Sequence, residues 1–206
     1  MTWKPIEDTI IVKIADHVQS SKITKRTILQ NVAKIYDPIG FIQPFVVRIK
    51  ILLQKLWLLG VNWDDPLPCD ILNTWNKIVS ETSEMIDFPI PRKYFTEKNC
   101  SDISIHIFCD ASLAAYGSCC YFRYKDSTNN WKTTFILSKS RIAPLKNKNL
   151  TLPKLELMAA LVGARLGSYL TKVFPEFKRN YSILVRLKNH FVLDQSPSTE
   201  LETVCV

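Results

Sequence analysis

The sequence lacks the short motifs that identify several common enzyme classes. Neither D-T-G nor D-S-G occurs, although an aspartic peptidase needs one of them for its active-site loop. No paired-aspartate motif of the Y-x-D-D type is present to bind the metal ions of a nucleotide polymerase. The three histidines, His17, His106 and His190, have no G-x-S-x-G motif beside them, which argues against a serine hydrolase. We therefore interpret His106 as a packed or hydrogen-bonded residue and not as a catalytic base.

Cysteine pairs and long apolar runs are also missing. The six cysteines form no C-x-x-C pair, so the spacing of a zinc knuckle is absent. The N-terminal segment Met1–Lys4 lacks the apolar core of a signal peptide, so we expect reduced thiols inside a cell, in the cytoplasm or the nucleus. The most apolar run, residues 45–61, is interrupted by Arg48, Lys50 and Lys55. These charges favour a helix with a buried face over a membrane span, and we expect no membrane partner.

The composition is that of a folded, basic protein. The chain has 206 residues, of which 47% are hydrophobic and 22% charged, enough for one large or two small domains. Its net charge of +8 suits a polyanionic partner such as nucleic acid, although a merely basic soluble protein is equally compatible with charge alone. An acidic stretch, residues 61–101, separates two basic ones and predicts a domain boundary near residues 88–101.

The first 90 residues show helical periodicity. Thr24 is a good N-cap for a helix over residues 25–35, and further helices are predicted over residues 42–60 and 70–85. A β-branched segment, Thr9–Ile14, predicts one short strand. We expect a small core built from apolar residues of these helices and their connections: Val32, Ile35, Phe41, Leu52, Leu56, Trp57, Trp75 and Ile78.

From Asp102 the periodicity changes to that of a β-sheet. Alternating apolar residues predict a strand that ends on Asp110. Two further strands, over residues 116–124 and 131–138, are joined by the short turn K-D-S-T-N-N and predict a hairpin. A helix is predicted to begin at Thr151 or Leu152 and to run to about Val173. This half of the chain is therefore expected to hold three antiparallel strands and one helix.

Two carboxylates on different elements are the candidate catalytic residues. Asp110 ends the first strand of this region, and Glu156 lies in the first turns of an otherwise apolar helix. Glu156 shares its helix face with small residues, including Ala159, Gly163 and Gly167, which would let the helix approach a sheet closely. The Glu156 carboxylate would then point toward the strand ends.

Paired carboxylates in an apolar setting predict a metal site. An unpaired buried charge is costly, and two neighbouring carboxylates repel each other unless a cation lies between them. Oxygen ligands suit Mg²⁺, and two such ions can activate a water and stabilise the leaving oxygen of a phosphodiester. The structural alternative is that Asp110 is a turn or cap residue and that Glu156 is simply solvated.

Long sequence motifs carry a specific resemblance. The run I-S-I-H-I-F-C-D-A-S, followed by L-S-K-S-R-I-A-P and L-T-L-P-K-L-E-L-M-A-A-L-V-G-A-R-L, resembles the ribonuclease H region of BEL/Pao-type retrotransposon Pol. Upstream, K-R-T-I-L-Q-N-V-A-K-I-Y-D-P-I-G-F-I-Q-P, I-L-L-Q-K-L-W and W-D-D-P-L-P resemble the connection between polymerase and ribonuclease H in the same elements. The resemblance covers roughly residues 3–172. It implies an α+β fold, in which a mainly helical connection region precedes a truncated ribonuclease H-like α/β domain.

The resemblance also implies a division of the chain. Residues 1–90 would form a helical region like the thumb and connection of a reverse transcriptase, and residues 91–101 would form a linker. Residues 102–175 would form a partial ribonuclease H-like domain. Residues 176–206 would be a divergent or truncated tail.

In this family an Asp, a Glu and a later Asp bind the metal ions that cut the RNA of an RNA–DNA hybrid. Asp110 matches the first and Glu156 the second, whereas the strand predicted at Tyr181–Leu187 does not end in an aspartate. Asp194 is the one aspartate after that strand and so the one candidate for the third ligand. With two matching ligands, the domain is expected to be catalytically incomplete, and to use Mg²⁺ or Mn²⁺ only if it is active.

The expected function is that of a retrotransposon Pol fragment that binds nucleic acid. Lys139, Arg141, Lys146 and Lys148 lie in a segment without acidic residues and are the expected phosphate contacts. The expected partners are an RNA–DNA hybrid or other nucleic acid, and other parts of the Pol polyprotein. The alternative is a non-catalytic nucleic-acid-binding or structural module that a host genome has captured.

Overall fold

The structure is a computed structural model. It describes residues 1–12, 22–83, 89–95, 97, 99–145, 150–177, 180–187, 190–195 and 203–204. Of residues 82–83, 187, 190–195 and 203–204 it describes the backbone alone. The chain divides into two compact units, one of residues 1–38 and 42–92, the other of residues 39–41 and 93–206.

Within the described residues, the first unit contains three helices and a small sheet. The helices are α1 (Lys25–Ala33), α2 (Gln43–Leu58) and α3 (Cys69–Ser83). The strands are β1 (Thr2–Lys4), β2 (Thr9–Ile11) and β3 (Pro89–Pro91), which pair antiparallel in the order β1-β2-β3. The three helices lie where the periodicity predicts them.

Sequence patterns miss most of this small sheet. Each strand has three residues, which is too short for a period of two to be recognised. β2 confirms the first half of the strand predicted over Thr9–Ile14, and residues 13–14 lie outside the described part of the chain. The partner of β2 comes from far along the chain, with Thr9 paired to Pro91. Pairing over such a separation leaves no local signal in the sequence.

α1 starts where the sequence predicts because Thr24 caps it. The Thr24 hydroxyl accepts a hydrogen bond from the Thr27 backbone N–H, and the Thr27 hydroxyl accepts one from the Thr24 backbone N–H at 2.8 Å. This reciprocal capping satisfies backbone donors that a helix start leaves without partners. α2 begins without a side-chain cap, and Pro44 in its first turn has no backbone donor to satisfy.

The first unit buries an apolar core, but three of the residues predicted to belong to it do not. The buried residues are Ile28, Ile49, Leu52, Leu53, Leu56, Ile71, Trp75 and Ile78, with Val32 partly buried against them. Ile35 is half-buried outside this cluster. Phe41 belongs to the second unit, where its ring packs edge-on against Phe135 with centroids 5.5 Å apart. Trp57 is 50% exposed, although it lies one turn after buried Leu53, and its ring packs edge-on against Trp63 with centroids 5.1 Å apart.

In the part of the chain that the structure describes, the second unit is a six-stranded sheet with one long helix packed on it. The strands are β4 (Ser101–Ala111), β5 (Ala115–Lys125), β6 (Trp131–Ile142), β7 (Tyr181–Leu187), β8 (His190–Gln195) and β9 (Thr203–Val204). The helix is α4 (Leu152–Val173), which a short 3-10 turn follows at Pro175–Phe177. The order across the sheet is β6-β5-β4-β7-β8-β9. Among the described residues, no helix combines the length and apolarity that a membrane crossing requires.

The predicted three strands and helix are confirmed, and the sheet extends beyond them. β4, β5 and β6 are antiparallel neighbours, and α4 packs on β4, β5 and β7. The sequence assigns residues 176–206 to a tail, but β7 lies inside the sheet, parallel to β4, with Ile183 level with Ile107. Parallel strands require a long crossover, which α4 supplies, so the position of β7 is set by tertiary structure.

Residues of the predicted linker, residues 91–101, contribute to the core of the second unit. The ring centroids of Tyr94 and Phe95 lie 5.3 Å and 5.1 Å from the ring centroid of buried Phe122. Ser101 already belongs to β4. The segment is therefore packed against the sheet instead of spanning a gap.

Small residues let α4 lie close to the sheet. A Cβ atom at Gly163 would lie 2.2 Å from the Cys109 sulfur, so the helix backbone is nearly in contact with β4. The Ser118 hydroxyl on β5 donates to the Ala159 carbonyl at 2.9 Å and links the sheet directly to the helix. The small-residue face recognised in the sequence is thus the face that packs on the sheet.

Gly163→Ala should destabilise the protein. In a helix, Ala in place of Gly normally gains about 1 kcal/mol. Here the new methyl group would overlap the Cys109 sulfur, and overpacking of this kind costs about 1–3 kcal/mol. We expect a net loss of up to about 2 kcal/mol in the free energy of unfolding measured in urea. The control Ser168→Ala, on the exposed side of the same helix, should stay within about 0.5 kcal/mol of the wild type. A stabilised Gly163→Ala variant would contradict the close approach.

Candidate functional site

Asp110 lies on the exposed face of the sheet, near the carboxyl end of β4. Side chains alternate along this strand, so that Ile107 and Cys109 are buried, whereas Phe108 and Asp110 are exposed. The Asp110 Oδ1 accepts a hydrogen bond from the backbone N–H of Ala111 at 2.9 Å. The carboxylate is therefore held beside the strand end, in contact with solvent.

Contacts with β4 fix the direction of α4. A Cβ at Gly163 would meet Cys109, and a Cβ at Gly167 would meet Ile107. α4 therefore runs antiparallel to β4, and its first turns lie at the carboxyl end of that strand. Glu156 precedes Gly163 by two helical turns, or about 10 Å along the helix, so it lies toward the carboxyl end of β4.

Glu156 is buried although it is acidic. It is 4% exposed and has the buried, apolar Leu155 and Ala159 near it on the helix. Asp110 and Glu156 thus lie at the same end of the sheet. Asp110 is exposed on the face away from α4, and Glu156 is buried at the start of α4. Their role as metal ligands stays a prediction.

The strand beside Asp110 carries a cation. β7 is parallel to β4 with Val185 level with Cys109, so Arg186 is the neighbour of Asp110 on the next strand. The Arg186 Nη1 lies 3.7 Å from the Asp110 Oδ2. Residues 181–187 include no acidic residue. A third carboxylate within this strand, the position that the resemblance implies, is therefore absent.

Asp194 is a residue of β8, a strand of which the structure describes the backbone alone. It pairs with Ile183, which is level with Ile107 on β4. Asp194 is therefore two strands from β4, or about 10 Å across the sheet, and three residues short of the level of Asp110, or about 10 Å along the strands. Its side chain lies outside the described residues, and its role as a ligand stays a prediction.

The described residues do not fit the two-ion site that phosphodiester hydrolysis needs. Two ions held a few ångströms apart require several oxygen ligands. Across the described ranges, no group of three or more Asp, Glu, His or Cys side chains is placed to hold a metal ion. The carboxylates of Asp110 and Glu156 have the right chemistry for Mg²⁺ or Mn²⁺, but Arg186 already places a positive charge beside one of them.

Two of the four predicted phosphate-contacting residues can be located. Lys139 and Arg141 lie on β6, the edge strand of the sheet, and Arg141 is exposed. Both are paired with buried residues of β5, so they lie on the face of the sheet that α4 covers. Lys146 and Lys148 lie outside the described residues.

His106 is a hydrogen-bonded residue of the sheet, as the sequence predicts. Its Nε2 lies 3.0 Å from the Ser104 hydroxyl oxygen, and its Nδ1 lies 3.0 Å from the Ser182 hydroxyl oxygen. A neutral ring can donate to one hydroxyl and accept from the other. Partial burial lowers the pKa of His106, and the Arg123 guanidinium lowers it further. The ring is therefore held in its neutral form.

Arg186 is the candidate functional residue that sequence reasoning misses. A strand at Tyr181–Leu187 is predicted, and its penultimate residue is plainly basic. Nothing in the local sequence, however, tells which residue of that strand is level with Asp110. The register between β7 and β4 depends on the α4 crossover, which only the tertiary structure shows.

Comparison with protein families gives a match over most of the chain. The family described as Pao retrotransposon-like RNaseH-like domain matches residues 24–183. The matched region begins at the N-cap of α1 and ends within β7. Among curated proteins, none matches the sequence significantly.

Solved structures of a viral enzyme are similar at low identity. The foamy viral protease-reverse transcriptase in complex with an RNA/DNA hybrid is 13% identical, with a TM-score of 0.39 over 80% of this chain and 20% of that one. The same enzyme in complex with double-stranded DNA is 11% identical, with a TM-score of 0.34 over 76% of this chain and 32% of that one. The chain thus spans a fifth to a third of those proteins, and similarity at this level supports no argument about individual residues.

The neutral state of His106 predicts a dependence of stability on pH. Because its pKa is lowered from 6.5 in the folded state, the unfolded chain takes up a proton first as the pH falls. The contribution of His106 is therefore full above about pH 6.5 and is lost as the pH falls toward its folded-state pKa. We expect the free energy of unfolding in urea to fall less steeply between pH 7 and pH 5 for His106→Gln than for the wild type. Equal slopes for the two proteins would contradict this assignment.

Proposed function

The chain belongs to the Pao retrotransposon-like RNaseH-like domain family, and on that premise we propose that it is a nucleic-acid-binding part of a retrotransposon Pol polyprotein that does not cleave its ligand. The observation that carries the proposal is the position of Arg186 beside Asp110 on adjacent parallel strands. A guanidinium at this position repels a divalent ion and stands where a further carboxylate ligand would be needed.

The number of ligands is the reason to expect no hydrolysis. Two-ion cleavage needs one ion at the attacking water and another at the leaving oxygen. Asp110 and Glu156 supply two carboxylates, enough at most for one loosely held Mg²⁺ or Mn²⁺ with water at its other positions. Asp194 adds a ligand only if its segment moves toward the strand ends, because its backbone is two strands from β4.

Charge and position support nucleic-acid binding. The net charge of the chain is +8. Lys139 and Arg141 lie on the edge strand β6, which comes directly before α4 in the sequence. Glu156 lies in the first turns of α4. Phosphate contacts by such residues are independent of base sequence and release counterions. The ligand we propose is an RNA–DNA hybrid.

The first unit has a separate proposed role. Its three described helices all lie within the matched residues 24–183 and precede the strands of the second unit in the sequence. We assign it to the region that connects a polymerase to the ribonuclease H-like domain in Pol. Other parts of the Pol polyprotein are then its proposed partners.

The purified chain should not cleave an RNA–DNA hybrid. With labelled RNA in the hybrid and either Mg²⁺ or Mn²⁺ present, we expect no more product from the wild type than from Asp110→Asn. The reason is that two carboxylates cannot position both ions. The measurement is the fraction of RNA cut after a long incubation, resolved on a denaturing gel.

The same assay tests the predicted metal ligands even if the protein proves to be active. Robust cleavage that Asp110→Asn and Glu156→Gln both abolish would disprove the inactivity and support the site. Loss of that cleavage in Asp194→Asn as well would identify Asp194 as the third ligand. Cleavage that survives all three substitutions would come from a contaminating nuclease.

Binding should be independent of base sequence and should depend on the four basic residues before α4. Replacing Lys139, Arg141, Lys146 and Lys148 by Ala should make the slope of log affinity against log salt shallower by about 3–4, if each residue neutralises one phosphate. The measurement is fluorescence anisotropy of a labelled duplex between low and moderate salt. A charge-preserving control, with Arg in place of the three lysines, should keep the wild-type slope. An unchanged slope in the Ala variant would place the binding surface elsewhere.

A further inference from the structure

Arg186 stands at the point where the expected metal ligands are incomplete. It follows Val185, whose backbone is level with Cys109, so Arg186 and Asp110 are side by side on parallel strands. Neighbouring strands lie about 4.8 Å apart, so the two side chains are close together at the same end of the sheet. Glu156 lies at this end as well, at the start of α4.

The ion pair leaves the guanidinium within reach of a ligand. The distance from Arg186 Nη1 to Asp110 Oδ2 is 3.7 Å, longer than the about 2.7–2.9 Å of a charge-assisted hydrogen bond. The Arg186 side chain is 50% exposed, and that of Asp110 is 62% exposed. Exposed pairs with this geometry contribute little to stability, and the exposed half of the Arg186 side chain is accessible to a ligand.

An exposed aromatic ring lies on the same face of the sheet. Phe108 precedes Asp110 by two residues and is 37% exposed. Its backbone is level with Leu184, which precedes Arg186 by two residues. A guanidinium binds the oxygens of a phosphate through its planar fork of donors, and an aromatic ring stacks on a base or sugar. The two together form a contact suited to one nucleotide.

We infer that Arg186, in place of divalent ions, neutralises a nucleic-acid phosphate at the carboxyl end of β4. The ligand is the phosphodiester backbone of an RNA–DNA hybrid, and its binding requires no metal. Asp110 opposes binding, because its negative charge competes with the phosphate for the guanidinium. This inference rests on the proposed function, which supplies the nucleic acid.

The test is binding of a fluorescently labelled RNA–DNA hybrid by the full chain, at matched ionic strength, in EDTA and in Mg²⁺. The wild type should bind at least as tightly in EDTA as in Mg²⁺, because the contact needs no metal and Mg²⁺ competes for the phosphates. Arg186→Ala should weaken binding about tenfold near 0.1 M salt and lower the salt slope by about one. Arg186→Lys keeps the charge but loses the planar fork, so its affinity should fall between the two. Asp110→Asn should bind more tightly than the wild type.

A matched control separates this contact from a general loss of charge. Arg165 is exposed on α4, and Arg165→Ala removes the same charge away from the strand ends. It should change the affinity by less than Arg186→Ala does. Circular dichroism of each variant should match the wild type, since both arginines are exposed.

Three results would overturn the inference alone, and a fourth would overturn it together with the proposed function. Loss of wild-type binding in EDTA, or weaker binding by Asp110→Asn, would mean that a metal ion on Asp110 contacts the phosphate. Equal effects of Arg186→Ala and Arg165→Ala would mean that Arg186 makes no particular contact. In each of these cases the wild type still binds nucleic acid, so the proposed function stands. A wild-type chain that binds no hybrid in either buffer would overturn the proposed function and this inference with it.

Discussion

The contact between α4 and β4 is the constraint on which the candidate site depends. The backbone of Gly163 lies so close to Cys109 that no side chain fits between them. The bond from the Ser118 hydroxyl to the Ala159 carbonyl holds the same part of the helix against β5. Because α4 runs antiparallel to β4, it places Glu156 at the carboxyl end of that strand. The same direction carries the chain back to the start of β7, which then pairs parallel to β4.

The charges at that end of the sheet determine what the protein can bind there. Carboxylates on adjacent parallel strands attract divalent ions, whereas a carboxylate beside a guanidinium is already partly neutralised. On the proposed function, one side chain on β7 changes what this end of the sheet binds while the strand and its pairing stay in place.

Much of the fold follows from local patterns. Thr24 and Thr27 cap α1 through bonds between residues three apart, so the sequence contains the whole signal. The hairpin of β5 and β6 is likewise local, because a short turn sets its pairing. Trp57 was misplaced because it lies in the last turn of α2, where the helical pattern does not show that its neighbour, Trp63, is itself partly exposed. Phe41 was misplaced because its partner, Phe135, is distant in sequence.

Local sequence patterns identify the family, the helices, the antiparallel strands and the two carboxylates, since each depends on residues close together along the chain. The return of the segment after α4 into the sheet, which makes Arg186 the neighbour of Asp110, follows from the packing of the whole unit. The tertiary structure also decided that Glu156 is buried while Asp110 is exposed. The physical reason is that register between strands joined by a long crossover depends on how the helix packs, and that packing is a property of the whole unit.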